Sequence, residues 1–224
     1  MYERNIMPSS SWVHIPLVVS LVRQIEPQSI LDVGIGFGKW GQLFREYTDI
    51  WSASEDIPRY QRDNWKVKID GIEGFEPYIT AHHQYLYNDI HIGDVHEVLA
   101  RLGKYDLVFM GDVIEHFEKE SGKRLLRSLL AHTNRLLVVT TPANHVDQTA
   151  VFGNSLEVHK SDWTTEDFRA VGECLSTIIA NEIHMCMWAP QGSVLPRIDL
   201  EVTPVRKPSR LIRLRRKVRR YLSA

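Results

Sequence analysis

Ile30-Leu-Asp-Val-Gly-Ile-Gly-Phe-Gly38 is a short, mostly apolar run that stops at glycines in alternate positions. Such a run suits a buried strand, here over 29–33. Glycine lacks a Cβ, so it takes the backbone conformations of a tight turn and lets a ligand approach the main chain. From Lys39 the pattern turns helical, over 39–47. A strand, a glycine turn and a helix in that order begin a parallel α/β sheet, whose ligands sit at the carboxyl ends of its strands.

The flanks repeat the alternation. Upstream, Ile15, Val18, Val19 and Val22 recur at helical spacing and predict a helix over 12–25 that ends before Pro27. Downstream, strands are expected over 67–71, 91–93, 105–110 and 135–140, with helices over 77–85, 95–102 and 122–132 between them. A helix over 165–171 opens with the capping pattern Thr164-Thr-Glu-Asp167. Two β-prone runs within 175–188 fit an antiparallel edge. The expected fold is α/β, a doubly wound, mainly parallel sheet of about seven strands with helices on both faces. Residues 1–204 form one domain with an inserted loop at 48–66, and 205–224 form a basic tail.

Charge is divided unevenly. The net charge of the 224 residues is −1, yet 205–224 hold nine Lys or Arg and no acid, so the body is acidic. That body is not a uniformly basic nucleic-acid binder. In the tail, Leu211, Leu214, Val218 and Leu222 fall on one helical face among arginines. Such a helix can meet an anionic membrane surface, follow nucleic-acid phosphates, or pack on the acidic body. The two cysteines, Cys174 and Cys186, form neither a metal spacing nor a disulfide framework. With no signal-peptide pattern, a cytoplasmic place is expected, with the membrane surface open to the tail.

The first loop spells G-x-G-x-G, and the position where a dinucleotide fingerprint needs its last glycine is Lys39. That favours a nucleoside sulfonium ligand over NAD. Acids close four strands: Asp32 suits the ligand's amino group, Glu73 the ribose hydroxyls, Asp94 the adenine amino group, and Asp112 follows the fourth strand. Glu76 is a rival to Glu73. Each acid alone also reads as a helix cap or a solvated loop carboxylate.

On these residues the sequence resembles the class I S-adenosylmethionine-dependent methyltransferases, over roughly 12–190. ILDVGIGFGKWG is similar to that family's first motif, GIEGFEPYI to the second, and GDVHEV and YDLVFMGDVIEHF to the third and fourth. The resemblance implies a Rossmann-like fold, a transferase activity, and a cofactor site lined by Asp32, Gly34, Gly36, Gly38, Glu73, Asp94 and Val95.

Methyl transfer needs the acceptor, the methyl carbon and the sulfur aligned, and a hydroxyl acceptor also needs a base or a metal. Asp112-Val-Ile-Glu115-His116, read as a helix start, puts residues 112, 115 and 116 on one face, and His159 follows in His159-Lys-Ser-Asp-Trp-Thr164. Small-molecule methyltransferases have a similar D-V-x-E-H whose histidine is the base. Small-RNA 2′-O-methyltransferases have a similar acid-x-x-Glu-His and a later His that hold a divalent metal. His116, Glu115 and His159 are therefore the catalytic candidates, and with Asp112 the metal candidates. Glu115 and His116 also read as local helix-capping groups. The other histidines read as surface residues. Asn144 borders the acceptor or forms a turn with Pro142. Trp12, Trp51, Tyr60 and Trp65 are a candidate lid over an apolar acceptor, or the surface packing of a long loop. A small-molecule or glycan hydroxyl is the expected acceptor, with RNA, a non-catalytic cofactor-binding subunit and a nicotinamide oxidoreductase as the alternatives.

Overall fold

The computed structural model describes residues 10–51 and 60–190. Its strands are β1 (Ser29–Val33), β2 (Lys68–Glu73), β3 (Ile90–Ile92), β4 (Tyr105–Gly111), β5 (Thr133–Pro142), β6 (Leu175–Ile179) and β7 (Ile183–Trp188). They form one seven-stranded sheet in the order β3-β2-β1-β4-β5-β7-β6. The first five strands run parallel, and β7 pairs antiparallel with both β5 and β6. The doubly wound α/β fold and its antiparallel edge are as the sequence predicts.

Alternation along each strand builds two cores. Ile30, Ile69, Leu107, Phe109 and Val138 face α1 (Ile15–Ile25), α2 (Lys39–Arg45) and the end of α3 (Ala81–Leu86). Leu31, Val33, Val108, Met110 and Val139 face α4 (Val95–Leu99), α5 (Lys119–Ala131) and α6 (Thr165–Arg169). Burying a side chain of this size is worth about 1.5–3 kcal/mol. The capping pattern at α6 forms as predicted: the Thr164 hydroxyl accepts from Asp167 N at 3.3 Å, and Asp167 accepts from Thr164 N at 3.0 Å.

Several expectations need correction. The helix over 39–47 stops at Arg45 and widens into a π-turn, Glu46–Ile50. There buried Arg45 pairs with Asp49 at 2.7 Å, donates to the carbonyls of Leu86 and Val67, and lies 4.6 Å from the Trp65 ring. Trp65 therefore packs into the fold instead of covering a site. Within the loop 48–66, residues 52–59 lie outside the described residues, as do the tail 205–224 and everything else beyond 190. The histidines read as surface residues include three that are buried, His14, His83 and His184. No helix among the described residues is long and apolar enough to cross a membrane.

Candidate active site

The carboxyl ends of β1, β2, β3, β4 and β5 open on one cavity of about 1120 Å³. Its floor is the first loop. Gly34, Gly36 and Gly38 all have positive φ, at 76°, 50° and 83°. A Cβ on Gly34 would meet Val113 Cγ2 at 2.4 Å, so no side chain fits there. Gly34 and Gly36 line the cavity as expected. Gly38 does not line it; it caps α2 in the left-handed conformation and faces His82 and His83.

The four strand-end acids divide. Glu73 lines the cavity and is nearly buried; its carboxylate accepts from Gly36 N at 3.0 Å and Phe75 N at 2.9 Å. Burial raises its pKa against those two bonds. Glu76 is exposed on a 3-10 turn and does not line the cavity, so Glu73 is the strand-end acid. Asp94 and Val95 line the cavity, and one Asp94 oxygen accepts from His96 N at 2.8 Å as the cap of α4. Asp32 does not reach the cavity. Strand alternation turns it to the same face as Ile30, beneath the loop, where Tyr87 donates to it at 2.6 Å. Its other oxygen is buried without a partner among the described residues, and burial brings its pKa up to about 7. The expected contact between Asp32 and the ligand's amino group is thus corrected.

Asp112 lines the cavity but not as part of a helix face. It sits at φ 54°, before a single 3-10 turn, Ile114–His116. Thr140 donates to its carboxylate at 3.2 Å, the Lys39 ammonium lies in its field, and its own charge reaches Glu115. Burial raises the Asp112 pKa and lowers that of Lys39, whose Nζ donates to the Ser10 carbonyl. The sequence used Lys39 only to exclude a dinucleotide. The fold makes it a cation on the cavity wall, beside Ser10 and Ser11 from the segment before α1.

Glu115, His116 and His159 do converge, each offering a ligand atom within 4.8 Å of the others. Asp112 is not in this group. Glu115 is buried and accepts from the Thr141 hydroxyl at 3.1 Å; burial, then the Asp112 charge, pushes its carboxyl well above the usual range. His116 Nδ1 faces the Val158 carbonyl at 3.3 Å, and His159 Nδ1 faces the Val146 carbonyl at 2.7 Å. A carbonyl only accepts, so each Nδ1 carries a proton. Burial and His159 lower the His116 pKa to about 4, leaving it neutral at pH 7. Both backbone N–H groups of Lys160 and Ser161 donate to the Glu115 carbonyl, at 2.8 and 3.1 Å, which ties His159 to the 3-10 turn.

The remaining candidates are placed as follows. Asn144 lines the cavity and donates to the Asn181 carbonyl at 2.8 Å. None of Trp12, Trp51, Tyr60 and Trp65 lines it, so of the two alternatives the lid does not form and the packing one stands. Trp51 stands against Tyr47 and Arg23 instead.

The family described as "Methyltransferase domain" matches residues 15–190. No curated protein sequence matches the chain. Among solved structures, the chain is similar to the methyltransferase domain of bacterial CtHen1-CN at 14% identity and TM-score 0.52, covering 79% of this chain and 97% of that one. It is similar to DhpI in complex with SAH at 12% identity and TM-score 0.51, covering 73% and 77%. An O-methyltransferase family protein from Burkholderia thailandensis is similar at 13% identity and TM-score 0.51, covering 80% and 56%. At these identities the likeness is one of fold.

Proposed function

The chain belongs to the methyltransferase-domain family, and from that premise we propose that it methylates a hydroxyl of a neutral small molecule or glycan, using S-adenosylmethionine. The observation that carries this reading is the convergence of Glu115, His116 and His159 on the wall of the cavity the first loop floors. When bound, the cofactor would supply a methyl carbon on positive sulfur; an O–C bond to the acceptor would form as the C–S bond breaks, the sulfur leaving as a neutral thioether and the hydroxyl losing its proton.

The chain's residues fit that cofactor. Gly34 and Gly36 leave the floor free of side chains, and Glu73 offers a nearly buried carboxylate to the ribose hydroxyls. Asp94 and Val95 would flank the adenine, Lys39 would hold the carboxylate, and Asp112 would hold the ammonium. His116, neutral at pH 7, takes the acceptor proton, and Glu115 and His159 stand beside it.

The charge of the lining favours a neutral acceptor over RNA. Six acids and two lysines line the cavity, which suits a cationic donor and opposes a phosphate backbone.

A second reading has its own support. A carboxylate and two imidazoles whose Nδ1–H groups rest on carbonyls make a donor set for a divalent cation. Glu115, His116 and His159 would hold it, and such an ion lowers the pKa of a bound hydroxyl.

The test is incorporation of labelled methyl from the cofactor across a panel of hydroxylated acceptors, with and without chelator. Once an acceptor is found, His116→Ala should slow turnover by about 10²-fold or more. Near-normal turnover refutes the base role. Activity that survives chelator removes the metal reading; activity lost to chelator and restored by a divalent cation supports it.

A further inference from the structure

We propose that His82 and His83, neither of which lines the cavity, are positioning residues that hold the cofactor loop in its binding conformation; this rests on the cofactor assignment above. Both side chains reach from α3 to the carbonyls of that loop. His83 Nε2 lies 2.9 Å from the Gly36 oxygen, and His82 Nε2 lies 2.7 Å from the Phe37 oxygen. Each oxygen can only accept, so each Nε2 carries a proton and donates.

The opposite nitrogens are committed as well. His83 Nδ1 accepts from Thr80 N at 3.2 Å, and His82 Nδ1 lies 2.7 Å from the Thr80 hydroxyl, which donates to it. One residue, Thr80, thus sets the tautomer of both rings. The rings lie 4.0 Å apart, and the Phe37 ring stands 5.1 Å from His82.

Two further observations tie the pair to the loop. A Cβ on Gly38 would come within 3.0 Å of His82 Nε2 and 3.1 Å of His83 Cδ2, so the glycine leaves the space that the imidazoles fill. Gly36 is also fixed from both sides, its N–H on Glu73 and its carbonyl on His83. The segment that must lie flat under a nucleoside is therefore clamped at consecutive carbonyls before any ligand arrives. Holding such a segment ready cuts the ordering cost of binding.

The test compares wild type, His82→Ala, Thr80→Val, His83→Ala and His83→Gln by calorimetric titration with S-adenosylhomocysteine and by melting of the unliganded protein. His82→Ala and Thr80→Val should each weaken binding by about 3- to 10-fold, the worth of one hydrogen bond; His82→Ala should leave the melting temperature little changed, while Thr80→Val, which also removes the cap of α3, should lower it. Should His83→Ala fold, His83→Gln, which keeps a donor near the Nε2 position, should recover part of the affinity it loses. Wild-type affinity in both His82→Ala and Thr80→Val overturns the proposal. A wild type that fails to bind S-adenosylhomocysteine overturns the cofactor assignment itself.

Discussion

Gly34 shows how a single residue carries both fold and site. Its φ of 76° and the 2.4 Å approach of Val113 to any Cβ leave room only for hydrogen. Gly34→Ala should therefore bend the loop and cost at least about 10-fold in affinity for S-adenosylhomocysteine, measured by calorimetry. Unchanged affinity would mean the loop tolerates a side chain. Asp94 and Val95 were legible as cavity-lining residues from their place at a strand end, while Glu73 needed the structure to separate it from Glu76. Orientation was harder to read. Asp32 lies within the first motif, but strand alternation turns its side chain under the loop to Tyr87. Asp112 stays out of the group formed by Glu115, His116 and His159, because the turn after β4 is a left-handed residue and one 3-10 turn and not a helix start, although its charge still reaches Glu115.

Among the elements, the segment after β5 matters most, because it brings His159 across to His116. Two backbone bonds to the Glu115 carbonyl fasten it, and Trp163 beds it on α5, with its ring 2.5 Å from where a Cβ on Gly122 would sit. Gly122→Ala should push Trp163 outward and destabilise the fold by about 1–3 kcal/mol, read by thermal or denaturant unfolding. An undiminished stability would show that the indole can shift freely. Strands β1 and β4 were legible because both faces are buried, which leaves a nearly continuous apolar run. The contact of His82 and His83 with the loop was not legible. It depends on how the crossover after β2 returns to the sheet, and no local pattern records that. The π-turn at Glu46–Ile50 was hidden for a related reason, since what fixes it is the burial of Arg45.

At the scale of the whole molecule, buried titratable groups set the response to pH. His14 is fully buried against Trp40, neither ring nitrogen has a partner among the described residues, and burial drops its pKa from 6.5 to about 3. As pH falls below 6.5 the unfolded chain takes up a proton that the folded one refuses until about 3, so stability declines across that window. Asp32 acts in the opposite sense: raised from 3.8 to about 7, it stays protonated in the fold, and its contribution declines as pH rises between those values. His14→Leu removes the first effect alone. It should reduce the stability lost between pH 8 and pH 5 by about 2 kcal/mol, measured by denaturant unfolding at both values. An equal loss in both proteins would show that His14 does not govern the acid limb. The account stands or falls on which nucleoside ligand the cavity takes. Calorimetric titration of the unmodified protein with S-adenosylhomocysteine, run beside NAD, tests it most directly. The account predicts saturable binding of S-adenosylhomocysteine at one site and none of NAD; binding of NAD with no response to S-adenosylhomocysteine would contradict it.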